Sequence, residues 1–246
     1  MDDSASLDGL DWEGRAPHAG GSAEDPYACF GHKTATAATP GCVTGSSCPP
    51  RYSLRRAVRA GYSADRRSAD ELVVDADPSV RAAALGALAR MGALSPSAVV
   101  NALGDPHEQV RRRACELAVD TPGVRSGALV AMLSDSSALV VEAAAWALGE
   151  RGRTEEQASV GALSVVAREH REPLCREAAV AALGAIGHSR GLEAVVAALS
   201  DKAAVRRRAV VALAGFDGAR AAEALRSCLD DRDWQVRDAA SELVGE

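Results

Sequence analysis

Aromatic side chains are scarce in this sequence: three Trp, three Tyr and two Phe make up 3% of it, while apolar residues reach an ordinary 47%. A single compact core usually leans on bulky rings. Their scarcity therefore argues against one such core and favours thin helices packed through small residues. Lysine is nearly missing too, present only as Lys33 and Lys202 beside abundant arginine, which reads as the codon bias of a GC-rich genome. No apolar run approaches the roughly 18–20 residues needed to span a bilayer. The opening "MDDSASLDGLDWEG" lacks a basic segment followed by an apolar one, so no secretory signal is read there. A cytoplasmic protein is expected, with its six cysteines serving as thiols or ligands and not as disulfides.

Basic excess is also lacking. Of the net charge of −6, residues 1–50 hold seven acids against Arg15 and Lys33, and the remainder balances 27 acids with 26 bases. A near-neutral body argues against a dedicated nucleic-acid binder.

What the sequence does have is repetition. The stretch "VRAAALGALARMG" from Val80 returns in variants from Val110, Val140, Cys175, Val205 and Val236, at steps of 30, 30, 35, 30 and 31 residues. A near-constant period of this length marks stacked supersecondary units, none able to bury its apolar face alone. Within a unit, Val205, Ala209, Ala212, Leu213 and Phe216 fall at i, i+4, i+7, i+8 and i+11, one face of a helix. The i+4 residue is alanine six times: Ala84, Ala114, Ala144, Ala179, Ala209 and Ala240. So small a side chain at a fixed point lets neighbouring helices approach closely.

A second apolar stretch precedes each of these helices, as in "SAVVNALG" and "GLEAVVAALS". Asp77-Pro78 and Asp105-Pro106 place a cap acceptor before a proline at the first helical position. Gly92, Gly152 and Gly187 stand where left-handed caps end the second helices. The expected fold is all-α: a right-handed solenoid of about six helical hairpins over residues 51–246, behind a flexible, acidic, disordered tail at 1–50.

A helical hairpin with Asp in its turn and Arg six residues later resembles the HEAT repeat, particularly the short bacterial PBS-lyase HEAT-like kind. Here the matching pairs are Asp75/Arg81, Asp105/Arg111 and Asp231/Arg237, with Asp201/Arg206 five apart. Unit three keeps Asp135 but has Val141, and unit four keeps Arg176 but has His170. The resemblance implies that these side chains form a ladder between successive turns, not a charged binding stripe. It leaves function open, because such a scaffold hosts many activities.

If the second helices line the concave side, as the resemblance implies, the positions two, three and six past the start of each repeat face the partner. Those positions bring together Arg112, Arg113, Glu142, Trp146, Glu177, Arg207 and Arg208. Tryptophan and arginine are the residue types that anchor protein interfaces. The expected role is a non-catalytic scaffold that binds another protein, with no membrane partner and with nucleic-acid binding as the weakest alternative.

The alternative is a metal-dependent oxidoreductase or lyase-type enzyme. Deoxyhypusine hydroxylase, a HEAT-repeat enzyme, holds two irons through His-Glu dyads. Only His107-Glu108 reads in that order here, Glu169-His170 is reversed, and Arg176-Glu177 stands where another dyad would be needed. Bilin lyases share the repeat type but no local residue signature. In the tail, Cys29, His32, Cys42 and Cys48 offer three thiolates and an imidazole, a complete set for tetrahedral zinc. Their spacing departs from paired knuckles, and incidental cysteines in a disordered tail are the competing reading. Cys115, Cys175 and Cys228 fall on the repeats' apolar face and read as small core residues.

Overall fold

The computed structural model describes residues 50–152 and 157–245, whose regular structure is helical. Each unit pairs an outer helix with an inner one. The six pairs are α2 (Arg66–Leu72) with α3 (Pro78–Arg90), α4 (Pro96–Leu103) with α5 (Glu108–Ala118), and α6 (Ser126–Met132) with α7 (Ala138–Arg151). They continue with α8 (Gln157–Glu169) and α9 (Pro173–Ile186), α10 (Leu192–Ala198) and α11 (Ala203–Leu213), and α12 (Ala219–Ser227) and α13 (Trp234–Val244). Ahead of them, α1 (Pro50–Ser63) packs on α3 in the place an inner helix would hold, so it covers the first unit's open side. Apart from Pro50, which opens α1, the expected tail lies outside the described residues.

Two layers result. Each inner helix packs closely on the next along the series α1, α3, α5, α7, α9, α11, α13, whereas successive outer helices touch only sparsely. The tighter layer is the short side of a curved stack, so the inner helices form the concave face. Small residues make that spacing possible. All six recurring alanines are fully buried, and Val80, Val140, Cys175, Val205 and Val236 are equally inaccessible. At the crossings of α7 with α9 and of α9 with α11, even alanine would be too large. A Cβ on Gly149 would sit 2.9 Å from the Ala182 Cα, and one on Gly184 only 2.6 Å from the Ala212 Cα. The buried apolar cluster runs without interruption from Ala82 in α3 to Ala224 in α12.

The aspartate–arginine series forms a ladder, with one correction to its pairing. Arg81 does not grip the Asp75 carboxylate six residues back; it donates to the Asp75 carbonyl at 2.7 Å and places its fork on Asp105 of the next unit at 2.8 and 2.9 Å. Arg111 does the same to Asp135, Arg176 to Asp201 and Arg206 to Asp231. Each aspartate also accepts from its own turn, as Asp105 does from the His107 N–H at 2.9 Å and Asp135 from Ser137 at 2.8 Å. One carboxylate therefore closes a turn and clasps the preceding unit.

This double use explains why Asp105-Pro106 is no helix cap: α5 begins at Glu108, two residues later than the proline implied. Asp77 is a cap, accepting from the Ser79 N–H at 2.8 Å. The rung between units three and four is missing. Val141 is fully buried where an arginine would stand. His170 keeps half of the aspartate's work, its Nδ1 accepting from the Glu172 N–H at 3.1 Å. Of the glycine caps, Gly187 adopts the left-handed conformation (φ 64°, ψ 20°), while Gly152 (φ 61°, ψ −141°) takes one that only glycine enters easily.

Candidate partner-binding groove

The concave face is indented by a groove of about 480 Å³ crossing α5, α7, α9 and α11. Helix α7 supplies its centre. Val140, Ala144 and Leu148 are fully buried against the core. The stripe Glu142, Trp146, Glu150 is displaced from them by two residues, or about 200° around the helix, and so faces the groove. Trp146 is 45% exposed, which excludes its acting as a buried filler between units. Opposite it, α9 contributes Leu174, 43% exposed, and Glu177. Between these walls the floor is alanine, chiefly Ala143, Ala178, Ala181 and Ala182, because this is where the inner helices meet.

Charges in the groove divide into paired and unpaired. Arg112 lies 3.2 Å from Glu116 one turn along α5, and Arg113 meets the same carboxylate at 2.7 Å. Arg208 of α11 reaches Glu177 at 3.3 Å. Glu142 and Glu150 have no hydrogen-bond or ion-pair partner among the described residues. Burial and then the negative charges of Glu142 and Glu172 push the Cys175 thiol up to about 11. Among the described residues the groove thus carries two free carboxylates, one on each side of an exposed indole, while each lining guanidinium is already engaged.

Of the seven residues nominated from sequence, Arg112, Glu142, Trp146, Glu177 and Arg208 line the groove together. The other two do not. Arg113 borders a separate depression beside Gly86, Arg90 and Thr121, and Arg207 donates to Gln235 of α13. Glu116, Glu150 and Leu174 were not nominated. Glu150 lies four residues beyond Trp146, on the same stripe, and one more helical step along α7 would have reached it. Conversely, Ala82, Gly86 and Ala143, expected to be open, are buried because the next inner helix covers them. Trp234 opens α13 and is 65% exposed.

Of the metal candidates, His107 is the exposed cap residue of α5, and His170 is committed to its turn. No group of three or more His, Cys, Asp or Glu is placed to hold a metal ion among the described residues. Cys29, His32, Cys42 and Cys48 lie outside them. Cys115, Cys175 and Cys228 are buried free thiols, as small core residues should be.

Residues 160–245 match the HEAT-repeats family. No curated protein matches the chain significantly. Among solved structures, YibA of Escherichia coli shares 18% identity and a TM-score of 0.57, over 82% of this chain and 77% of that one. An engineered protein shares 20% identity and a TM-score of 0.52, over 74% of this chain and 97% of that one. A designed armadillo repeat protein in complex with the peptide (KR)4 shares 18% identity and a TM-score of 0.51, over 78% and 98% of the respective chains. Identities this low speak to the fold alone.

Proposed function

We propose, from the match of residues 160–245 to HEAT repeats and the solenoid fold, that this chain works as a non-catalytic scaffold of the PBS-lyase-like HEAT type whose concave face holds an extended segment of another protein. One observation carries this reading. Trp146 stands half exposed at the centre of the inner layer, in a groove with a shallow alanine floor and polar ends. Large aromatics left open in a concavity are the side chains that anchor partners, and the engaged arginines at the ends give a polar rim. The armadillo design solved with a bound peptide supports the idea that a stack of helical hairpins can hold an extended chain. No described helix is long and apolar enough to cross a membrane.

Site-specific photo-crosslinking tests the reading. A benzophenone side chain replacing Trp146 is compared with one replacing Val165, which is 52% exposed on the outer helix α8. In lysate of the native host, a discrete adduct is expected from position 146 and none from 165. Equal labelling at both positions, or none at 146, contradicts the proposal.

A further inference from the structure

Resting on that docking reading, we infer that the groove selects a cationic segment, and specifically one that lays an arginine side chain on Trp146 between Glu142 and Glu150. The three residues occupy i, i+4 and i+8 of α7, so a carboxylate lies about 6 Å along the helix axis on each side of the indole. Among the described residues both carboxylates are unpaired, whereas Arg112 and Arg208 are held by Glu116 and Glu177. The field left uncancelled at the centre of the groove is therefore negative, and it surrounds an open π face. A planar guanidinium is the biological group that satisfies both features at once. It stacks flat on an indole and still directs its N–H edge at carboxylates on either side. A lysine ammonium meets the charge but not the plane. An acidic segment or a nucleic acid meets two free carboxylates with like charge.

The shallow floor suits an extended backbone. In such a chain alternate side chains point the same way, about 6.6–7 Å apart. One arginine of a segment crossing the inner helices thus reaches α7 while the next residue on that side lies over α9 or α5, whose inner helices are about 8–10 Å away. There Glu177 and Glu116 already hold cations, so a single arginine at the centre decides recognition.

The test uses the full chain and a fluorescein-labelled octapeptide of alternating serine and arginine, read by anisotropy. Its controls are the same peptide with every arginine replaced by citrulline, which keeps the shape without the charge, and one with glutamate in those places. The arginine peptide is expected to bind and the two controls to bind at least tenfold more weakly. Glu142→Gln with Glu150→Gln weakens binding about 2- to 30-fold, as two exposed charge pairs would. Trp146→Ala has an effect of similar size. Glu169→Gln with Glu223→Gln removes the same charge from the outer helices α8 and α12 and leaves affinity unchanged. Citrulline or glutamate peptides binding as well as arginine overturn the inference, as does an equal loss in the outer-helix variant, which reduces the effect to net charge. If the benzophenone at 146 captures a partner while the arginine peptide fails, the chemistry inferred here is wrong and the docking face stands. If both fail, both fall.

Discussion

The packing of the inner layer makes opposite predictions for one chemical change at two glycines. Adding a methyl group to a helical glycine ordinarily stabilises a protein by about 0.5–1 kcal/mol, because alanine loses less backbone freedom on folding. Gly161, exposed in α8 with nothing within 4 Å of an added Cβ, should behave that way. Gly184 should not. Its Cβ would lie 2.6 Å from the Ala212 Cα and 2.7 Å from the Ala212 Cβ, so α9 and α11 must separate by most of an ångström to reach ordinary contact. The obstacle is backbone, not a side chain that can swing aside. Overpacking of this kind costs about 1–3 kcal/mol. Less the helical gain, Gly184→Ala should lose roughly 1–2 kcal/mol net, a fall of about 2–8 °C in Tm for a domain of this size. Thermal melts followed by circular dichroism at 222 nm, with urea titrations beside them, measure both variants. A Gly184→Ala melt at or above wild type, or matching that of Gly161→Ala, would show that the inner helices do not meet as closely as described.

The missing rung of the ladder can be rebuilt. Val141→Arg alone places a cation in a fully buried position facing His170 and should cost about 3 kcal/mol or more, while His170→Asp added to it should recover at least half of that loss in urea melts. An acid titration tests the rungs that exist. Hydrogen bonds from Arg111, Arg176 and Arg206 hold Asp135, Asp201 and Asp231 below the usual carboxylate range against the opposing effect of burial. The folded chain therefore takes up protons less readily than the unfolded one, and this contribution is complete above about pH 4 and lost as pH falls below it. Asp135→Asn should flatten the fall of Tm between pH 4 and pH 2. Burial also pushes the Cys115 thiol up to about 12, so iodoacetamide at pH 8 should modify it only after urea unfolds the array, as read by peptide mass spectrometry.

The hairpins are legible in the sequence because each unit repeats the same apolar spacing, and Ala84 through Ala240 mark the inner layer without help from coordinates. Chain order obscures how the units clasp one another. Arg81 and Asp75 look like partners at six residues apart, yet the carboxylate that Arg81 grips is Asp105, brought beside it only by stacking. The same superposition buries Ala82 and Ala143, since a position that faces outward on one helix can lie beneath the next. At the groove, Trp146, Glu142 and Glu177 follow from helical phase once the resemblance to HEAT repeats sets the second helices on the concave side. The free or engaged state of each charge does not, because it depends on neighbours such as Glu116 and Arg208 that meet through rotamers and crossing geometry. Arg207 shows the limit: its repeat position is right, but Gln235 of α13 draws it away.

Hydrogen exchange with and without the arginine octapeptide tests the inner face as the docking surface most directly. Protection should appear in α5, α7 and α9, strongest around Trp146, and leave the outer helices α4, α6 and α8 at their free rates. Protection confined to those outer helices, or spread evenly over both layers, would contradict it.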